Sequence, residues 1–229
     1  MTFASGRGKN SVVMNWFADQ AQQANALWEW ILGLLTGKKI AVLGPRASGK
    51  TTLITFLLNG ELPEEYFATA KPEKIAGKKV RLGNLALRVQ AVTDVPGDTQ
   101  SHSEWERQYD VADIAFYMVD ASKIHAGDDA YIKLITGEMR HIGEWLESRK
   151  EKPPKFFLVA THCDLIPDYA SLTSSQVTVF TDAFWKTPLL QRLINLAGGS
   201  KHVRCAAGSL RDVNGSRELI GEILHQVIS

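Results

Sequence analysis

Eight residues, Gly44-Pro45-Arg46-Ala47-Ser48-Gly49-Lys50-Thr51, limit what this chain can fold into more than any other stretch. They follow the apolar run Ile40–Leu43, which reads as a buried strand, and they open the helical stretch Thr51–Asn59. Strand, glycine-rich turn and helix in that order make a unit of a parallel sheet. The chemistry accounts for each residue type. Glycines let consecutive backbone N–H groups curl around phosphate oxygens, and the helix N-terminus adds the positive end of its dipole. Lys50 supplies a mobile cation for β- and γ-phosphates, and Thr51 offers a hydroxyl to Mg²⁺, which takes oxygen ligands in an octahedron. The bare spacing arises by chance in roughly one chain in a hundred of this length, and its position between strand and helix makes chance rarer still. Gly44, Ser48, Gly49, Lys50, Thr51 and Thr52 are the candidate phosphate-binding residues.

The rest of the chain continues that alternation. Lys79–Leu82 and Leu85–Thr93 read as a strand pair around Gly83-Asn84, a hairpin signal. Ile114–Val119 and Phe156–Ala160 are nearly all apolar, as strands covered on both faces are. Leu134, Ile135, Met139, Ile142, Trp145 and Leu146 recur at helical spacing between them. Val177–Ala197 reads as one further helix, His202–Ala206 as a last strand and Ser216–Val227 as a last helix. The expected fold is a three-layer α/β phosphate-loop nucleoside-triphosphatase fold. Its sheet is mostly parallel with one antiparallel strand, and helices cover both faces. Residues 38–229 form this domain. Before it, 1–10 are small and polar and expected to be disordered. Residues 11–36 carry an amphipathic helix, with Trp16, Trp28 and Trp30 in an apolar stripe.

Composition narrows the setting. The 229 residues are 45% hydrophobic and 22% charged, with a formal net charge of +1. Nothing in that balance argues for nucleic acid. Two cysteines, Cys163 and Cys205, give no disulfide framework and fit a reducing compartment. No stretch reaches the roughly 18 apolar residues of a membrane span, and no secretory signal is evident. A cytoplasmic protein is expected, with peripheral membrane contact left open.

A phosphate loop alone serves kinases, ATPases and GTPases equally, so the downstream residues must discriminate. Asp94-Val95-Pro96-Gly97 follows the strand Leu85–Thr93. An aspartate there can hold Mg²⁺ through water, and the N–H of Gly97 can reach a γ-phosphate, although a Pro-Gly turn alone explains the same residues. Thr161-His162-Cys163-Asp164 follows the strand Phe156–Ala160. A carboxylate there could accept two N–H bonds from guanine, a donor pair adenine lacks. Otherwise Asp164 reads as a helix cap. Cys205-Ala206-Ala207 ends the last strand, where the backbone N–H of Ala206 could meet the guanine carbonyl oxygen.

In order and spacing these stations resemble the Ras- and Arf-like small GTPases across residues 38–229. The shared pattern is GxxxxGK[ST], a switch threonine, DxxG, [NT]KxD and SA[KL]. The resemblance implies a GTP/GDP site with Mg²⁺ held by Thr51, Thr69 and Asp94. It makes Thr69 the switch threonine, in the exposed polar segment 60–78. It implies base contacts from Thr161, His162, Asp164 and Ala206. The segments 60–78 and 95–110 would be ordered by GTP and read by an effector or activator protein, with Trp105 an exposed anchor for that partner.

Three departures bear on mechanism. Asp98 stands where the family places the glutamine that orients attacking water, which implies slow intrinsic hydrolysis. Arg46 stands in the loop where the family has glycine. It could obstruct a partner's arginine, stabilise charge in cis, or point to solvent. His162 replaces the family's lysine, and imidazole can stack on a purine in its place. Cys163 and Cys205 would both lie near the base, either incidentally or as a thiol pair whose oxidation weakens binding. For helix 11–36 the readings are packing on its own domain or a second copy, partner docking, and membrane contact. Thr2 after Met1 excludes the family's myristoyl glycine. The expected function is a GTP-binding switch with slow GTPase activity. The alternatives are a GTP-bound scaffold that does not hydrolyse and an ATP-using phosphotransferase.

Overall fold

The computed structural model describes residues 38–59, 62, 79–82, 85–91, 99–148, 153–167 and 169–228. The chain divides into two units, Met1–Thr36 and Gly37–Ser229, and every described residue belongs to the second. The expectations for 1–10, for helix 11–36, for the segment 60–78 with Thr69, and for Asp94, Gly97 and Asp98 lie outside the described residues.

Six strands form one sheet: β1 Lys39–Leu43, β2 Lys79–Leu82, β3 Leu85–Ala91, β4 Ile114–Asp120, β5 Lys155–Thr161 and β6 Val203–Ala207. Their order across the sheet is β2-β3-β1-β4-β5-β6. Every neighbouring pair is parallel except β2 with β3, which run antiparallel in the register Val80↔Leu87. Two residues separate β2 from β3, so only the antiparallel pairing is open to them, whereas a parallel return needs a crossover.

Strand alternation sorts the core into two layers. Ala41, Leu43, Ala115, Tyr117, Val119, Phe156, Leu158 and Ala160 belong to one cluster. It is closed by Tyr109, by Ile135, Met139 and Ile142, and by Leu190 and Leu193. Ile40, Val42, Ile114, Phe116, Met118, Phe157 and Val159 take the alternate positions and are equally buried. Because β4 sits mid-sheet with both faces covered, all seven of its residues are buried, as its uninterrupted apolar run requires.

Between the strands lie helices α1 Lys50–Asn59, α2 Thr99–Val111, α3 Ala121–His125, α4 Asp129–Ser148, α5 Ser174–Trp185, α6 Pro188–Leu196 and α7 Val213–Ile228, with short 3₁₀ turns at Cys163–Leu165 and Tyr169–Ser171. The single helix expected over 177–197 is two. Pro188 has no N–H and biases its predecessor out of the helical region. Thr187 accordingly sits at φ −62°, ψ 145°, and Pro188 opens α6 at a first-turn position where its missing donor costs nothing.

The loop expected over 95–110 is helical from Thr99. Trp105 is only 7% exposed, edge-on to Tyr117 at 6.3 Å between ring centroids. Tyr109 is fully buried against Trp145 and Phe156. Trp105 is therefore a core residue and not an exposed anchor: four residues apart on a helix, Trp105 and Tyr109 share the face that packs on the sheet. The exposed face of α2 carries Glu106, Arg107 and Asp110.

Strand β6 lies at the sheet edge, and α7 blunts it. Gln226 Nε2 donates to Cys205 O at 2.8 Å, and the Glu222 carboxylate accepts from the Ala207 N–H. Two of the strand's outward hydrogen-bonding groups are thus satisfied by α7.

Candidate nucleotide-binding site

The chain leaves β1, crosses to β3 on one side and returns to β4 on the other. The sheet order therefore reverses beside β1, and a crevice opens at the carboxyl ends of the strands there. The loop 44–49 occupies that position. Gly44 has φ 130°, and a Cβ on it would lie 2.3 Å from Met118 O, so β4 passes too close for any side chain. Ala47 takes φ 59° and Gly49 φ 83°, which curls the loop back on itself. Ser48 is fully buried and its Oγ donates to Pro45 O at 2.9 Å, tying the turn across its base. Lys50 lies over the loop, its Nζ donating to Gly44 O at 2.8 Å and to Pro45 O. An ammonium there lies where phosphate oxygens would be drawn by the N–H groups of the first turn of α1. Thr51 is exposed at that helix start, Thr52 buried behind it, and Arg46 exposed at the loop's crest.

The end of β5 closes the next wall. Thr161 is fully buried, and its Oγ1 lies 3.0 Å from Ser48 O and 3.1 Å from Val119 O, joining the phosphate loop to β4 and β5. His162 follows with φ 59°, ψ 27°, a left-handed turn that reverses the chain into the 3₁₀ turn Cys163–Leu165. Its Nδ1 lies 3.0 Å from Thr161 Oγ1 and 3.9 Å from Asp120 Oδ2. Asp120 ends β4, caps α3 by accepting from the N–H groups of Ser122 and Lys123, and is itself buried.

Asp164 is half-buried, with Oδ1 accepting from Ser209 Oγ at 2.6 Å. Ser209 is the residue that reading the chain by itself did not single out. It stands two residues past the end of β6, and its oxygen in turn accepts from the Arg211 N–H at 3.0 Å. Leu210 also reaches the site: a Cβ on Gly49 would meet its Cδ1 at 3.2 Å. The segment Gly208–Leu210 thus stands between Asp164 and the phosphate loop. Ala206, by contrast, lies inside β6 opposite Val159 and is fully buried. The strand runs one residue further than expected, so the turn that meets Asp164 is shifted along the chain. A serine just after an apolar run was the available signal.

The cysteines do not form a pair. Cys163 N donates to Gly208 O, while Cys205 is opposite Leu158. Three residues of strand therefore separate them, roughly 10 Å, beyond the roughly 7 Å that a disulfide spans. Burial pushes both thiols up to about 12, so neither is a ready nucleophile. Among the described residues no His, Cys, Asp and Glu group forms a metal cluster, and no helix is long and apolar enough to cross a membrane.

No family model matches the sequence and no curated protein does. Solved structures do. An ADP-ribosylation-factor-like GTP-binding protein, the small COPII coat GTPase SAR1 of Encephalitozoon cuniculi in complex with GDP, aligns over 97% of this chain and 98% of its own, with TM-score 0.52 and 16% identity. The Arl6 small GTPase of Trypanosoma brucei aligns over 82% and 96%, with TM-score 0.46 and 19% identity. A GTP-binding protein of Sulfolobus solfataricus aligns over 96% of this chain and 60% of its own, with TM-score 0.46 and 14% identity. The described chain has the α/β phosphate-loop fold of the Ras- and Arf-like small GTPases.

Proposed function

We propose that this protein binds GTP and GDP with Mg²⁺ and hydrolyses GTP slowly, as a switch whose GTP-bound form a partner protein reads. The observation that carries the reading is that Leu210, next to the Ser209 that binds Asp164, packs on Gly49 of the phosphate loop, while Thr161 ties that loop to the end of β5. Phosphates would lie against Gly44–Thr51, and a purine against His162 and Asp164. With Oδ1 held by Ser209, Asp164 keeps Oδ2 to accept from the N–H groups of guanine. The solved relative of E. cuniculi is a GTPase in complex with GDP, which favours the same ligand here.

Thr51, exposed at the start of α1, has the hydroxyl oxygen that suits Mg²⁺. Thr69 and Asp94 are its proposed companions, and Gly97 the γ-phosphate contact. The ion, when bound, neutralises charge on the β- and γ-phosphates. With Asp98 in place of a water-orienting amide, the attacking water loses that orienting group, so hydrolysis is slow. Arg46, exposed at the crest of the loop, is the candidate for charge stabilisation in cis. The partner surface comprises 60–78, the segment before α2 and the exposed face of α2.

The test is binding and turnover on the full chain. GTP and GDP should bind at least tenfold more tightly than ATP, with intrinsic turnover far below roughly 1 s⁻¹, the range that assisted hydrolysis reaches. ATP preference overturns the base assignment. Unaided turnover above that level overturns slow hydrolysis, and no turnover even with cell extract as a source of activators identifies a scaffold.

A further inference from the structure

We propose, resting on the guanine-nucleotide reading, that Tyr131 of α4 is a positioning residue of the phosphate loop: its hydroxyl fixes the last peptide of β4, and that peptide sets the loop through Thr161. The argument starts from where the strands end. β1 parts from β4 after the pair Leu43 and Tyr117 and enters the phosphate loop, while β4 runs on to Asp120 beside β5. Two successive carbonyls of this overhang face the loop. Met118 O stands where a Cβ on Gly44 would go, so it abuts the loop's first residue. Val119 O and Ser48 O share the single proton of the Thr161 hydroxyl, at 3.1 and 3.0 Å. The overhang therefore braces the loop at Gly44 and again at Ser48. Its position decides where the N–H groups of the loop point.

The brace is held from outside the site. Val119 C=O and Asp120 N–H belong to one planar peptide group, so neither turns without the other. The Asp120 N–H donates to the Tyr131 hydroxyl at 2.7 Å in a buried position. One rigid unit is pinned by Tyr131 at its N–H and by Thr161 at its C=O, and hydrogen bonds joined through one amide polarise each other. Among the described residues no hydrogen bond joins Tyr131 to Thr161, so coupling between them runs through that peptide.

Tyr131 is well placed to act as an anchor. It is buried against the apolar cluster under β4. Its own N–H donates to Asp128 Oδ1 at 3.0 Å, which fixes the first turn of α4. The Lys123 ammonium lies 5.0 Å from its ring centre, and the Lys123 N–H donates to Asp120 Oδ1 at 3.2 Å. Ring, helix start and strand end are tied to one another. Phenylalanine at 131 keeps the ring and its packing and removes only the oxygen that holds the peptide.

The experiment measures release of a fluorescent GDP analogue, and amide hydrogen exchange, in the full chain. The variants are Y131F, T161V, the two combined, and I135V. Ile135 lies one turn along α4 in the same core, so I135V controls for lost packing in that helix. Y131F should release the analogue roughly 5- to 30-fold faster, as loss of one buried hydrogen bond implies. The Gly49 and Lys50 amides should exchange faster while those of β5 keep native rates. I135V should match the native protein in both readouts. T161V should behave as Y131F does, and the combined variant should be no faster than the faster single one, because both break the same relay. Equal acceleration in Y131F and I135V, or single effects that multiply in the combined variant, overturns this proposal alone. Absence of GDP binding by the native protein overturns the nucleotide reading, and loop exchange in Y131F then decides the role of Tyr131 by itself.

Discussion

On the proposed reading, Asp164 would meet an incoming base with one oxygen already engaged. The Ser209 hydroxyl fixes Oδ1 at 2.6 Å, so the carboxylate would not have to be ordered by the proposed guanine, and Oδ2 is left as its acceptor. Asp164→Asn keeps an oxygen for Ser209 but turns the other acceptor into a donor. GTP affinity should fall roughly 10- to 150-fold, as the loss of a charge-assisted bond implies, and xanthosine triphosphate should gain. Calorimetric titration of both nucleotides checks this, and an unchanged ratio removes Asp164 from the base contact. Spacing alone singles out Lys50, Thr51 and Asp164 as candidates. It does not single out Ser209, because a serine after a strand has many uses, and only the fold brings it to Asp164.

At the scale of elements, glycine decides how closely α4 and α6 approach. Gly143 on α4 faces the carbonyl of Leu196 at the end of α6, where a Cβ would come within 2.0 Å. Gly137, on the same helix, meets nothing within 4 Å. The same substitution should therefore act with opposite signs. Gly143→Ala forces the two helices apart and should destabilise by roughly 1–3 kcal/mol. Gly137→Ala gains helix propensity and should stabilise by up to about 1 kcal/mol. Urea unfolding of the two variants checks the pair, and a neutral Gly143→Ala would mean the helices do not meet there. Boundaries at this scale were only partly readable. Helical spacing ran through 177–197 without a break in pattern, and the proline that divides it is compatible with a helix start as well as with a kink.

The whole molecule sets the state of Glu222. Glu222 keeps an exposed side chain on α7, but partial desolvation against β6 raises its pKa, offset in part by the bond from the Ala207 N–H, and Asp182 raises it further. Because the folded value lies above the unfolded one, the stability linked to this group is present below the ordinary carboxylate range. It is lost as pH rises through the folded value. Glu222→Gln keeps an acceptor for Ala207 and removes the charge. Its melting temperature should equal the native one near pH 4 and slightly exceed it at pH 7.5, the gain kept small by the solvent exposure of the side chain, and a lower value at pH 7.5 would show the charge to be favourable. Scanning calorimetry across that range decides it. No reading of the chain alone could find this, since Asp182, Ala207 and Glu222 come from three elements.

By itself the sequence determined the loop, the order of the strands, the antiparallel β2–β3 pair and the carboxylate after β5, but not the helix Thr99–Val111 or the division at Pro188. Those it determined rest on local spacing and on apolar periodicity, which contact only near neighbours. The tertiary structure alone decided that Trp105 is core and that Ser209 holds Asp164. It also decided that Cys163 and Cys205 stand apart and that His162 meets Asp120. Each depends on which strand lies beside which and in what register, and register is fixed by packing the two faces of the sheet together.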